Sequence, residues 1–224
     1  MIIQEIYTEY KIMPSLQMHQ YRVAAVGKTL CEQYQLENDV PNIILACLLH
    51  DMGNIIKFKL ELFPDFLEPY GMTYWQNVKQ TYHDKYGDDE HTATMEIVKE
   101  IFNDKGTHYV NINQERVLEL IDAIGFSNAQ YNFECKDIAR KIAAYADMRV
   151  EPYGVTTLLH RLDDGHKRFK LHKPGISNED FFNEMAEFLK KIEQQLFLDL
   201  SIKPNDITET SIQQYIPELK NFTL

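Results

Sequence analysis

Residues 43–54 read Ile-Ile-Leu-Ala-Cys-Leu-Leu-His-Asp-Met-Gly-Asn, an apolar run that ends abruptly on a histidine and an aspartate. With Asn38-Asp39 ahead as a cap and Pro41 suited to a first helical turn, the run predicts a helix apolar on every face. Such a helix belongs inside a bundle, and this run is far too short to cross a bilayer. It is expected to carry on through His50 and Asp51 to Phe58. Two ionisable side chains beside a buried stripe are costly unless something pairs them, and a divalent cation does so well. Neighbouring helical residues point about 100° apart, so both can flank one point in a groove between helices. The plainer alternative is a core-edge histidine bonded to its neighbour or to a backbone carbonyl.

Outward from this run, helical periodicity recurs nearly everywhere and no run of strict period-two alternation stands out. Pro14-Ser15 opens a helix to about Leu36, with Leu16, Tyr21, Val23, Val26, Leu30 and Tyr34 at its apolar positions. After a loop at 60–72, further helices are expected near 73–85, 90–103, 113–125, 134–150 and 155–169. Gly87-Asp88-Asp89, Asn103-Asp104-Lys105-Gly106 and Pro152-Tyr153-Gly154 punctuate them. Lys173-Pro174-Gly175 marks a boundary, and Ser177 with Asp180 a helix start. Phe181, Met185, Phe188, Ile192 and Leu196 then form a stripe read as core. The expected architecture is all-α: one domain over 14–172 and a C-terminal helical extension, 173–224, that caps the site, packs on the bundle or makes a homodimer contact.

Composition agrees. Nine glycines and eight prolines in 224 residues favour long helices with few reversals, and 44% hydrophobic with 25% charged residues describe a globular chain. The net charge of −11 disfavours polymeric nucleic acid, which needs a positive surface. It leaves open a small phosphorylated substrate held by a few placed cations. Three cysteines, Cys31, Cys47 and Cys135, without C-x-x-C spacing suit reduced thiols, and the N-terminal residues lack the apolar stretch of a signal peptide. A cytoplasmic protein without membrane association is expected.

Two more positions bear on His50-Asp51. His19 sits inside the first long helix, just before a strongly apolar stretch, and Asp147 is an isolated carboxylate in Ile142-Ala-Ala-Tyr-Ala-Asp147-Met-Arg149-Val150. Singly, one is a satisfied core histidine and the other a helix end. Together they place His, His-Asp and Asp on three helical segments, a mixed imidazole and carboxylate set suited to Mn, Fe, Co, Ni, Zn or Mg. His83-Asp84, in a polar stretch, reads as a solvated decoy.

His19, His50-Asp51 and Asp147 match the H…HD…D signature, and the chain here resembles the HD-domain metal-dependent phosphohydrolases over about residues 14–170. The flanks H-x-x-R-V at 19–23, LLHDMG at 48–53 and YADMRV at 145–150 extend the likeness. The resemblance implies an all-α HD-domain helical bundle in which His19, His50, Asp51 and Asp147 bind one divalent metal. It implies hydrolysis of a phosphate ester or anhydride, of a nucleotide above all, by metal-activated water. Asp51, with His50 and Lys57, would be catalytic, Asp51 also accepting a proton from that water.

Two-metal members of the family place a histidine near His91 and others on the next helix, where this chain has Ser127 and Asn128 instead. One metal is therefore expected, and a second is doubtful. His91 stays open as a group behind the metal ligands or on the substrate, a ligand of a weak second site, or a surface residue.

Asp51, Asn54 and Lys57 fall on one helical ridge, which makes Asn54 and Lys57 candidates for substrate binding. Lys57 meets a phosphate or is solvated at a helix end. Arg22 shares the His19 face and binds substrate or anchors a carboxylate. Arg149 reaches the site if its helix ends near Pro152. Arg161, His166 and Arg168 form a basic cluster that reads as a solvated face, with a pocket as the alternative.

Asn54 stands where the deoxynucleoside triphosphohydrolases continue H-D-I-G-H and where monophosphate nucleotidases carry an acid–base glutamate. The glutamate-aspartate pair of guanosine-tetraphosphate hydrolases and the G-Y-P motif of the cyclic-dinucleotide branch are missing. YAD-x-R is similar to the dinucleoside-polyphosphate branch, which needs the histidines missing near 127. A generic nucleotide phosphohydrolase remains. The alternatives are a non-catalytic metal- or nucleotide-binding domain and a di-iron oxygenase, for which the histidines are too few.

Overall fold

The computed structural model describes residues 1–36, 38–104, 111–172 and 179–224, with backbone alone for 104 and 168–172. The chain is all-α apart from one small hairpin. Its helices are α1 (Ile3–Glu9), α2 (Pro14–Gln33), α3 (Val40–Leu49), α4 (Met72–Tyr86), α5 (Glu90–Asp104), α6 (Gln114–Ile124), α7 (Ala129–Glu134), α8 (Ile138–Asp147), α9 (Leu158–His172), α10 (Glu179–Phe197), α11 (Glu209–Ile212) and α12 (Ile216–Lys220). Strands β1 (Val150–Glu151) and β2 (Gly154–Val155) pair antiparallel.

The apolar run does what its composition demands. Residues 43–49 are each at most 3% exposed, because α3 lies among α2, α6 and α8. Each large aliphatic side chain so buried contributes about 1.5–3 kcal/mol before the entropy of ordering is counted. Helix α10 packs on α7 and α8; of its expected stripe Met185, Ile192 and Leu196 are buried and the Phe188 ring lies 5.6 Å from that of Phe133 on α7, whereas Phe181 at its start stays 37% exposed. Helices α11 and α12 lie on α2, and the chain ends join where Ile3 N–H donates to Phe222 O (2.9 Å) and Leu224 N–H to Met1 O (3.0 Å).

Two expectations need correction. The second helix stops at Leu49 and does not run to Phe58; a turn and a 3₁₀ segment over Asn54–Ile56 continue the chain. Its last carbonyls are claimed by side chains: Tyr7 donates to Leu48 O (2.6 Å) and His50 Nδ1 to Cys47 O (2.8 Å). The helix expected over 134–150 begins at Ile138, because Asp137 caps the N–H groups of Ala139 (3.0 Å) and Arg140 (3.4 Å), and the separate α7 precedes it. Helix α1 and the hairpin are additions to the expected elements, each being too short to show a period. The boundary at Lys173-Pro174-Gly175 and the helix start at Ser177 lie outside the described residues.

One ion-pair node joins the helices around the core. Arg116 on α6 reaches Asp39 (2.7 Å) before α3 and makes two bonds to Asp137 (2.7 and 2.9 Å) before α8. Partial burial would raise the Asp137 pKa, and Arg116 more than reverses this, holding it below the ordinary carboxylate value. A depressed carboxylate contributes stability above its unfolded pKa, and that stability is lost as pH falls through the folded one. Arg116→Ala is expected to cost about 2 kcal/mol at neutral pH in urea denaturation. The difference from the parent chain should begin to shrink below about pH 4, where the unfolded carboxylate takes up a proton, and vanish as pH falls through the lower folded pKa. A constant difference down to pH 2 would show that the pair contributes nothing through its charge.

Candidate metal centre

Three elements bring the cluster together. His19 comes from the middle of α2, His50 caps the end of α3 with Asp51 next to it, and Asp147 is the last residue of α8. One ligand atom from each of His19, His50 and Asp147 lies within 4.8 Å of the others. His19 Nε2 is 3.1 Å and His50 Nε2 3.4 Å from Asp147 Oδ1, and both nitrogens are 3.7 Å from Asp51 Oδ2. Ligand atoms about 2.1 Å from a single cation lie about 3–4 Å apart, so these spacings fit one ion.

The tautomer of His50 supports the same reading. Its Nδ1–H is committed to Cys47 O, which leaves the lone pair of the neutral ring on Nε2. That atom is buried, 3.4 Å from Asp147 Oδ1, and has no hydrogen-bond partner. A buried lone pair facing two carboxylates is repulsive unless a cation or a proton lies between them.

The protein atoms alone strain toward positive charge. Burial is the largest influence on His50 and lowers its pKa, yet Asp51 and then Asp147 outweigh it and raise it to about 9. Burial raises Asp147 and Asp51, but His19 and His50 hold Asp147 well below the ordinary value, while His50, Lys57 and His19 lower Asp51.

The remaining residues sort clearly. Asn54 Nδ2 donates to Asp51 Oδ2 (2.8 Å), so it orients that carboxylate. Lys57 is half exposed and bonds Glu90 (3.1 Å); burial lowers its pKa, and Asp51, Glu90 and Asp147 raise it overall. The ridge of Asp51, Asn54 and Lys57 thus exists, built by turns where an α-helix was expected.

Arg22 shares its Nε–H between the two carboxylate oxygens of Glu209 on α11 (2.9 and 3.1 Å), the carboxylate-anchoring alternative of its two readings. Arg149 departs from its expected substrate-binding place: it is 1% exposed, and its guanidinium donates to Tyr145 Oη, Thr156 O and Ile207 O. Turning back after α8, it pins the hairpin and the C-terminal segment to the bundle. His91 Nε2 stands 3.5 Å from Asp122 Oδ1, both about half exposed, and among the described residues no second cluster of three ligands occurs. His83 pairs with Asp88 (2.8 Å) at the surface.

The cluster opens into a cavity of about 890 Å³ bounded by the start of α5, the end of α6, α9 and the start of α10. His50, Asp51, Asp147, Lys57 and His91 line it, as do Phe126, Phe182 and Arg161. Arg161 therefore belongs to the cavity wall, the pocket alternative of its two readings; Arg168 lies outside the described side chains. No local sequence signal marks these residues, since α6, α9 and α10 meet only in the folded chain. Thr94 likewise carries no such signal: its Oγ1 accepts from Gly53 N–H (2.9 Å) and ties the His-Asp turn to α5.

The HD-domain family model matches residues 17–148, more than half of the chain and all four signature residues. The chain belongs to the HD domain family. Members are mostly metal-dependent phosphohydrolases, and the His19, His50 and Asp147 cluster of this HD domain is able to hold a divalent metal. No curated protein and no solved structure matches the chain. Among its described residues no helix is long and apolar enough to cross a membrane.

Proposed function

We propose that this HD domain is a metal-dependent phosphohydrolase acting on a small phosphate ester or anhydride, with nucleotides as the substrate class. The carrying observation is the convergence of His19, His50 and Asp147, with Asp51 beside them, at the edge of a cavity of about 890 Å³. That volume suits a nucleotide-sized ligand. A single divalent cation (Mn, Fe, Co, Ni, Zn or Mg) supplies Lewis acidity there and lowers the pKa of water toward neutrality.

The chain's own residues do the rest. Neutral imidazoles at His19 and His50 hold the ion without cancelling its charge. Asp51, kept ionised by His50 and Lys57 and oriented by the Asn54 amide, is placed to take a proton. Lys57 brings an ammonium group to the cavity side of Asp51, where a phosphoryl oxygen would meet it. His91, paired with Asp122 further along the wall, is left to contact substrate.

Phosphate release from a nucleotide panel with Mn, Co, Ni and Mg is the direct test. Asp51→Ala should lower the rate about 10³-fold while circular dichroism stays unchanged. Metal binding with no release from any member of the panel would move the assignment to a non-catalytic binding domain.

A further inference from the structure

The cavity extends past the metal ligands to a guanidinium that the chemistry above does not use. Arg161, on α9, lines the same cavity as His50, Asp51 and Asp147. Its Nε is buried and has no hydrogen-bond partner, and among the described residues no carboxylate pairs with it. The contrast with the other cationic side chain on the wall is direct, because Lys57 is already bonded to Glu90. A buried donor without an acceptor is costly, and a guanidinium is relieved best by a planar two-oxygen anion that accepts two parallel bonds.

Flat rings stand beside it. Phe182 lies between Phe126 (centroids 5.0 Å apart) and the His166 ring (4.8 Å), forming a stacked column beside Arg161. Gly165, one turn after Arg161, opens the wall between them: a Cβ there would stand 4.0 Å from Arg161 Nη1 and 4.0 Å from Phe182 Cζ. A glycine inside a helix weakens it, and here it leaves the space beside the guanidinium free.

Resting on the phosphohydrolase reading, we infer that Arg161, on the wall of the cavity that the metal cluster lines, grips a second oxyanion of the substrate. The site then takes molecules with two separated anionic groups: a phosphoryl group at His19, His50, Asp51 and Asp147, and a phosphate or carboxylate at Arg161. The rings of Phe126 and Phe182, which line the same cavity, receive the uncharged part of the substrate. Arg161 thereby sets specificity, because a monoanionic ester leaves its guanidinium unmatched.

The test is calorimetric binding, with manganese present, of alkane-1,ω-diol bisphosphates of graded length, each against its monophosphate and its ω-carboxyalkyl phosphate. One chain length should bind about 10–100-fold more tightly than its monophosphate, the gain expected of a charge-assisted pair. Arg161→Met should erase that gain and leave monophosphate binding unchanged. Gly165→Ala, which adds one methyl without a clash, should cut the gain severalfold in a fully folded chain. Whether the carboxylate or the phosphate series gains more tells which oxyanion is bound. Equal affinity of bisphosphates and monophosphates at every length, or a gain that survives Arg161→Met, overturns the inference. Manganese-independent monophosphate binding would count against the metal reading instead, and an Arg161-dependent gain would still stand.

Discussion

Asp147→Ala is expected to lower manganese affinity at least about 100-fold, more than removal of a residue behind the ligands usually costs. The carboxylate contacts both imidazoles, at 3.1 Å from His19 and 3.4 Å from His50, so its loss removes a ligand and the charge that organises the other two. Metal-dependent phosphate release should fall in parallel. Asp147→Asn is the sharper variant, since it keeps the shape and loses the charge, and it should restore little. The fold should persist, because the core around α3 does not involve this side chain. Titration calorimetry with manganese measures the effect, and an affinity close to that of the parent chain for both variants would remove Asp147 from the centre.

Gly53→Ala should be the most damaging single methyl in the chain. A Cβ at Gly53 would stand 2.5 Å from Glu90 O, 2.8 Å from Ala93 Cβ and 2.8 Å from Thr94 N. Two of these are backbone atoms in the first turns of α5, which cannot rotate away as a side-chain tip can. The helix start has to move, breaking the Gly53–Thr94 bond and displacing Glu90, the partner of Lys57. Overpacking of this kind costs about 3 kcal/mol. Since Asp51 is two residues away, activity should fall about 100-fold as well, the usual effect of a displacement near 1 Å. Urea denaturation and phosphate release test the two halves, and a variant as stable as the parent would show that α5 yields freely.

Both variants alter residues whose importance is legible in part from the chain. The signature His19, His50-Asp51 and Asp147 is legible because ionisable side chains rarely interrupt apolar helical runs without a partner. Helix α3 is legible because seven consecutive apolar residues leave a helix no face for solvent. Arg149 misleads because sequence spacing gives an angle about a helix axis but not the path of the chain beyond the helix end. The turn into β1 sends its guanidinium to the carbonyls of Thr156 and Ile207. Likewise the ridge of Asp51, Asn54 and Lys57 is expected of an α-helix and is made by tighter turns, because Tyr7, from a helix with no visible period, takes the Leu48 carbonyl.

The helical class, the buried central helix and the types of side chain that carry the chemistry follow from local composition and period. What surrounds them follows from the packing of distant segments. The cavity wall joins Phe126, Arg161 and Phe182 from three segments, and the contacts of Arg116, Gly53 and Arg149 span long stretches of chain. Their meeting depends on how helices pack, and packing is settled by the sum of many small contacts that no single stretch of sequence contains.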